Sequence, residues 1–341
     1  MTPRRLLVVR PDRVGDVLIS SSCLPALRAR FPETDIVFAA RPAMEPLFAN
    51  HPLVRFLALP DPALPFFQRL AILRRKLAAE RFDCVVSLHP YTALYATALL
   101  EGIPWRIGYP KPWVSWTLTD CVPNRRPEHL LHEAVYNFDP LSLLDVPLPE
   151  KLFPSIDLPQ AARESLRRKL RDDGLARPYL CLHLGAFSPV ARWPVSHFVS
   201  LARRLRDLGF QIVLIGHDAE DASHVEFRAL AGNHLPCLDL AGRLDLGELG
   251  WLLRDAACLV TRDTGPSHLA AAVGSPVVVL FGRVDAPYGP RRWAPLGERV
   301  HVLASDAKRE KGEAREEFWQ RAFASIPVEA VEAAVLELVA K

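Results

Sequence analysis

The sequence is short of the devices that mark the commonest nucleotide and metal enzymes. No G-x-G-x-x-G follows an apolar run and no G-x-x-x-x-G-K-[ST] occurs, which argues against a dinucleotide-dependent dehydrogenase and against a P-loop enzyme. There is no G-x-S-x-G elbow and no spaced His/Cys/Asp set of the kind that holds zinc, so neither a serine-hydrolase site nor a metal site is expected. The six cysteines include no C-x-x-C pair, and Cys84, Cys181 and Cys258 sit inside apolar runs. They read as small buried hydrophobes in a reducing compartment. No apolar stretch reaches the length of a membrane span, and the run after Arg5 is too short for a signal peptide. A cytoplasmic protein is expected. The net charge of +3 comes from 42 basic against 39 acidic residues, too balanced for a chain held to nucleic acid by its field.

What is present is length and alternation. With 341 residues and 50% hydrophobic content the chain can bury two ordinary cores better than one. Leu6–Val9 reads as a buried strand and Val17–Arg30 as the helix after it. Asp35–Ala39 and Cys84–Leu88 read as further strands with a helix at Leu70–Glu80. Pro147, Pro149, Pro154 and Pro159 interrupt the pattern, which places a boundary between domains 1–155 and 156–341. The alternation then restarts with strands Tyr179–Leu184, Gln211–Ile215, Cys258–Thr261 and Val277–Phe281. Helices Val195–Leu208, Leu246–Asp255 and Ser267–Val273 lie among them. The fold class is α/β, two Rossmann-like doubly wound domains facing a central cleft where ligands are expected. A final helix at 327–341 is expected, with room to return across the cleft, and Asp306–Glu317 reads as a charged, mobile segment before it.

Three strand-to-helix junctions carry candidate chemistry. In Asp263-Thr264-Gly265-Pro266-Ser267-His268, Gly265 permits close approach to a ligand and Pro266 has no N–H to leave unpaired in a first turn. Ser267 and His268 add donors at a helix end that favours anions, although a simply capped helix uses the same residues. In Arg10-Pro11-Asp12-Arg13-Val14-Gly15-Asp16, Asp16 falls at a helix start after the first strand, where a carboxylate can take a proton or only cap the helix. Arg10 and Arg13 read as anion binders or as braces for the loop. The third junction, His183 to Pro194, offers Arg192 as a permanent cation beside Trp193-Pro194.

In order and placement these clusters resemble glycosyltransferase family 9, the ADP-heptose:lipopolysaccharide heptosyltransferase group. Arg13-Val14-Gly15-Asp16-Val17-Leu18, Arg192-Trp193-Pro194, the Asp263–Ala271 run, Gly274-Ser275-Pro276-Val277 and Leu280-Phe281-Gly282 carry the resemblance, which spans nearly the whole chain. It implies a GT-B fold and an inverting, metal-independent transfer. A heptose-like sugar would move from a nucleoside-diphosphate donor, ADP-linked by the resemblance, to a saccharide or glycolipid acceptor of the cell envelope. The donor sugar is a substrate, and no cofactor is implied. Asp16 becomes the catalytic base; Arg192, Asp263, Thr264, Gly265, Pro266, Ser267, His268 and Arg283 line the donor, with Glu220 on its ribose. Arg13, Gly15 and His89 lie on the acceptor side. Phe66, Phe67, Trp105 and Trp113, interleaved with cations, suit an acceptor on a lipid and a peripheral contact with the inner membrane face.

The sequence departs from the family at Ala191, where a lysine is usual, and at Arg283, where a proline is usual. Either arginine could replace the missing cation, with a forked rather than a point-like charge. A non-catalytic nucleotide- or glycan-binding relative and a sugar-nucleotide epimerase stay open as other readings.

Overall fold

The computed structural model describes residues 2–185, 192–219, 221–284 and 287–340. The chain divides into two compact units, Met1–Pro159 and Gln160–Lys341. The first contains strands β1 (Arg5–Val9), β2 (Asp35–Ala40), β3 (Arg55–Ala58), β4 (Cys84–Ser87), β5 (Trp105–Gly108) and β6 (Asp120–Cys121) in the order β3-β2-β1-β4-β5-β6. The second contains β7 (Tyr179–His183), β8 (Gln211–Ile215), β9 (Leu238–Asp239), β10 (Cys258–Arg262), β11 (Val277–Phe281) and β12 (Val300–Ala304), ordered β12-β11-β10-β7-β8-β9. Each pair of neighbours is parallel. Both sheets therefore follow the doubly wound order in which direction reverses beside the first strand, at β1/β4 and at β7/β10.

The strands are unbroken apolar runs because a parallel sheet is covered on both faces. Leu6, Leu7, Val8 and Val9 are fully buried, as are Leu180, Cys181, Leu182 and Val277–Leu280. All six cysteines are free, and burial pushes the Cys23 and Cys258 thiols up to about 12. In the second unit the helix Val328–Val339 lays Val331, Ala334, Val335 and Leu338 into the same core as Trp193, Phe198 and Val278. The segment after the first unit's last short helix stays with that unit: Ser155 N–H donates to Ser21 Oγ at 2.9 Å and Asp157 N–H to Leu47 O at 2.9 Å.

Two local expectations are corrected. The helix expected over Val17–Arg30 is two helices, Val14–Ser21 and Leu24–Arg30. Pro25 has no N–H for the carbonyl of Ser21, and Ser20, Ser21 and Ser22 turn their hydroxyls back onto the carbonyls of Asp16, Leu18 and Ile19 at 2.7–2.8 Å. Both effects end a helix. The segment Asp306–Glu317 is not simply a charged tether. A helix, Arg315–Ala324, begins inside it, and the Glu313 carboxylate accepts from Arg321 at 2.8 and 2.9 Å while its carbonyl accepts from Arg309. Phe318 and Phe323 bury that helix against the unit. It passes so close to the end of β11 that a Cβ on Gly282 would lie 2.7 Å from Phe323 and 2.8 Å from Trp319, so only glycine fits there.

Candidate functional site

In the first unit the chemistry gathers where β1 and β4 leave the sheet. Arg10 follows β1 directly and is 2% exposed. Its guanidinium lies 2.6 Å from Asp12, 3.0 Å from Asp16 and 3.2 Å from Glu133, and donates to Asn137 Oδ1 at 2.7 Å. Burial alone would lower the Arg10 pKa, but Asp12, Asp16 and Glu133 together hold it above its ordinary value. Of the two roles open to Arg10, bracing the loop is the one the geometry displays. Asp16 occupies the first turn of the Val14–Ser21 helix, with Arg13 as its extended N-cap residue and Gly15 beside it. The Asp16 carboxylate is anchored by Arg10 and one-fifth exposed.

His89, just past β4, sets Nδ1 3.1 Å from both carboxylate oxygens of Asp12. Desolvation, then the Arg10 and Arg126 charges, push its pKa down to about 3. The ring is therefore neutral at pH 7, with 40% of the side chain accessible.

In the second unit the corresponding position lies beside β7 and β10. His183 ends β7, and its Nδ1 is 3.1 Å from Thr261 Oγ1 and 3.3 Å from Thr264 Oγ1. Burial, then His224 and Arg262, push its pKa down to about 4. Thr264 is the N-cap residue of the helix Gly265–Ala272, with Pro266 in its first turn. Ser267 is fully buried: its hydroxyl donates to Thr264 O at 2.7 Å and receives Thr264 N–H at 3.4 Å. The Ser267 side chain is thus committed to holding the helix start. His268, 3% exposed, meets Asp263 Oδ1 through Nε2 at 3.3 Å, and its Nδ1 has no hydrogen-bond partner among the described residues. A buried nitrogen left unpaired at the start of a helix is a position where an incoming polar group gains a full hydrogen bond.

The other expected donor residues fall as follows. Arg192 donates to Ser223 and to Glu226 Oε2, the latter at 3.0 Å, on the helix Ala222–Ala231. Its charge is already met by a carboxylate. Arg283 stacks its guanidinium 5.9 Å from the ring centroids of Phe318 and Trp319. Glu220 and Ala191 lie outside the described residues. Asp221, next to Glu220, caps the Ala222–Ala231 helix by accepting from Ser223 N–H at 2.9 Å. No group of three or more His, Cys, Asp or Glu that could hold a metal is found among the described residues. No helix among them is long and apolar enough to cross a membrane.

Nothing in the sequence pointed to Arg126, Glu133 and Asn137, although Glu133 and Asn137 bond Arg10, Arg126 bonds both of them, and all three are at most 7% exposed. They lie in short helical turns without periodicity, and nothing local in the chain shows that Glu133 pairs with a residue 123 positions away. His183 stood at a strand end without a role, and His224, 1% exposed and 3.4 Å from Asp239, gave no signal at all.

The chain as a whole is similar to known proteins. The model for glycosyltransferase family 9 (heptosyltransferase) matches residues 70–320. Lipopolysaccharide heptosyltransferase 2 of Escherichia coli (strain K12) is 29% identical over 332 residues, covering 93% of each chain. Among solved structures, the family 9 glycosyl transferase from Veillonella parvula superposes with a TM-score of 0.82 at 19% identity, over 99% of this chain and 97% of that one. The E. coli ADP-heptose lps heptosyltransferase II gives 0.79 at 24% identity, over 98% of each. The expected α/β fold of two doubly wound sheets is therefore that of these enzymes. By the family match and the relatives that agree with it along nearly its whole length, this chain belongs to glycosyltransferase family 9 and is a glycosyltransferase.

Proposed function

We propose that this enzyme is a heptosyltransferase that moves a heptose from ADP-heptose to a saccharide of the lipopolysaccharide core, with inversion at the anomeric carbon and without a metal ion. The donor and acceptor classes are those in the names of the relatives. The observation that carries the mechanism is the Asp16 carboxylate, in the first turn of its helix, fixed 3.0 Å from a buried guanidinium and one-fifth exposed. A carboxylate so held keeps one orientation and accepts a proton without rearranging, which suits a general base.

In this reading the acceptor hydroxyl gives its proton to Asp16 as its oxygen forms the bond to the anomeric carbon and the bond to the nucleoside diphosphate breaks. The departing diphosphate needs neutralising, and the helix start at Thr264–His268 offers a dipole, backbone N–H groups and the His268 imidazole. Neutral His89, oriented by Asp12, serves the acceptor as a hydrogen-bonding group rather than as a cation. Arg192, held by Glu226, is the weaker candidate for the diphosphate than the helix start.

The test is transfer from ADP-heptose to a deep-rough lipopolysaccharide acceptor, with and without EDTA, followed by NMR of the anomeric configuration of the product. Inverted product formed at an unchanged rate in EDTA is expected. Retained configuration or strict metal dependence would overturn the mechanism. Failure of ADP to stabilise the protein in a thermal-shift comparison with UDP, GDP and dTDP would overturn the choice of donor.

A further inference from the structure

Asp16 is held from two directions by one buried polar cluster. Its carboxylate receives Arg10 Nη2 at 3.0 Å, and its carbonyl receives the Ser20 hydroxyl at 2.8 Å. Both holds lead to the turns at Glu133–Tyr136 and Phe138–Leu141. Arg10 donates through both Nη atoms to Glu133 Oε1 at 3.2 Å and to Asn137 at 2.7 Å, while Asn137 Nδ2 donates to Ser20 at 3.0 Å. Glu133 also accepts from Arg126 Nε at 2.7 Å, and Arg126 is fastened to Leu88 O at 2.9 Å, the residue before His89. Glu133 is 1% exposed and Asn137 fully buried.

The titratable and charged groups about the Asp16 loop include Arg10, Asp12 and Arg13 from the loop itself, Arg41, whose Nε donates to Pro11 O at 3.1 Å, His89 from the end of β4, and Arg126 and Glu133 from the segment before Phe138. Three carboxylates meet the Arg10 guanidinium, those of Asp12, Asp16 and Glu133, and Glu133 is the buried one. A base beside an undivided guanidinium would be a weak one, since an opposite charge at that range lowers a carboxyl pKa by about 1–3 units. A guanidinium shared with further carboxylates, here Glu133 at 3.2 Å besides Asp12 at 2.6 Å, fixes the base in place while withdrawing less of its basicity. We propose that Glu133 is a positioning residue for Asp16: by dividing the charge of Arg10, it sets the proton affinity of the base while the same hub fixes its direction. The proposal rests on the reading of Asp16 as the base, and nothing in a neutral buried hydrogen-bond network would require it.

The signs follow from Coulomb's law. Removing the charge of Glu133 leaves Arg10 more fully on Asp16, so the Asp16 carboxyl titrates lower. Removing the charge of Arg10 makes it titrate higher. The experiment follows the Asp16 carboxyl by carbon-13 NMR in the native protein, Glu133→Gln and Arg10→Gln, and records the acid limb of kcat/KM for heptosyl transfer in each. Glu133→Gln is expected to move both values down by roughly half a unit to one unit, and Arg10→Gln to move both up by about 1–3 units. Shifts of the same sign in the two variants, or an Asp16 titration that moves in neither, would overturn the proposal; rates that fall equally at every pH would mark a structural role only. The NMR titration needs no turnover, so an Asp16 that shifts as expected in a protein that transfers no heptose would sink the functional reading and leave the charge-sharing intact. Should Arg10→Gln not fold, the downward shift in Glu133→Gln, which keeps the side chain's size and its Oε1 acceptor, decides alone.

Discussion

The two units share one strand order and use its reversal point differently. Beside β1 and β4 the groups are ionic: two buried guanidinium ions and three carboxylates packed around a helix start. Beside β7 and β10 the groups that meet are the hydroxyls of Thr261 and Thr264 and an imidazole whose pKa is pushed down to about 4. Buried ion networks are costly to desolvate and hold only when each charge is met, so the first site is built to fix one carboxylate. The second is built around neutral donors and a capped helix end, which carry no counter-charge that an arriving diphosphate would have to displace. Asp263 is the exception, and His268 already engages it. In the function proposed above, the same backbone plan separates proton transfer from anion binding.

The largest effect expected from breaking that separation is at Asp16. Asp16→Asn keeps the side chain's size, and Arg10 retains Asp12, Glu133 and Asn137 as partners. Turnover should fall by about 10²–10⁴-fold while the melting temperature stays close to native. A fall in stability with activity in proportion would make Asp16 only a cap.

Next in size is the helix start. Thr264→Ala or His268→Ala should weaken ADP binding by roughly 1–3 kcal/mol, the scale of a hydrogen bond to a charged group. Ser267→Ala should act mainly on stability, because its hydroxyl is spent within the cap. Calorimetry on the three variants separates these roles, and equal ADP affinity in all of them would move the diphosphate elsewhere.

A smaller effect concerns pH. His183 is held below the unfolded value of about 6.5. The unfolded chain therefore takes up the proton first, and the stability this residue contributes is present above about pH 6.5 and lost as pH falls from there towards about 4. The melting temperature should drop across that window, less steeply in His183→Asn. Identical slopes would mean that His183 is not the group responsible.

The two junctions were legible for different reasons. Gly15-Asp16 and Thr264-Gly265-Pro266 each compress a strand end and a helix start into a few residues, and both lie where a helix begins. The extent of the helices was less legible. Pro25 can open a helix or end one, and only the hydroxyls of Ser20, Ser21 and Ser22 turned onto the preceding carbonyls decide for a break. The partners of Arg10 were not legible, because Glu133 and Asn137 come from aperiodic turns brought to β1 by tertiary packing. The ion pair of Arg192 was not legible either, because Glu226 comes to it from the neighbouring helix.

The proposed division of labour between the two units is tested by a crossed measurement on two variants. Asp16→Asn and His268→Ala are each assayed for heptosyl transfer at saturating donor and for ADP affinity by calorimetry. Asp16→Asn is expected to bind ADP as the native enzyme does and barely turn over, whereas His268→Ala is expected to lose roughly 5–150-fold in ADP affinity and to keep a larger share of its saturated rate. Loss of ADP affinity in Asp16→Asn, or native turnover in it alongside native ADP binding by His268→Ala, would contradict the claim.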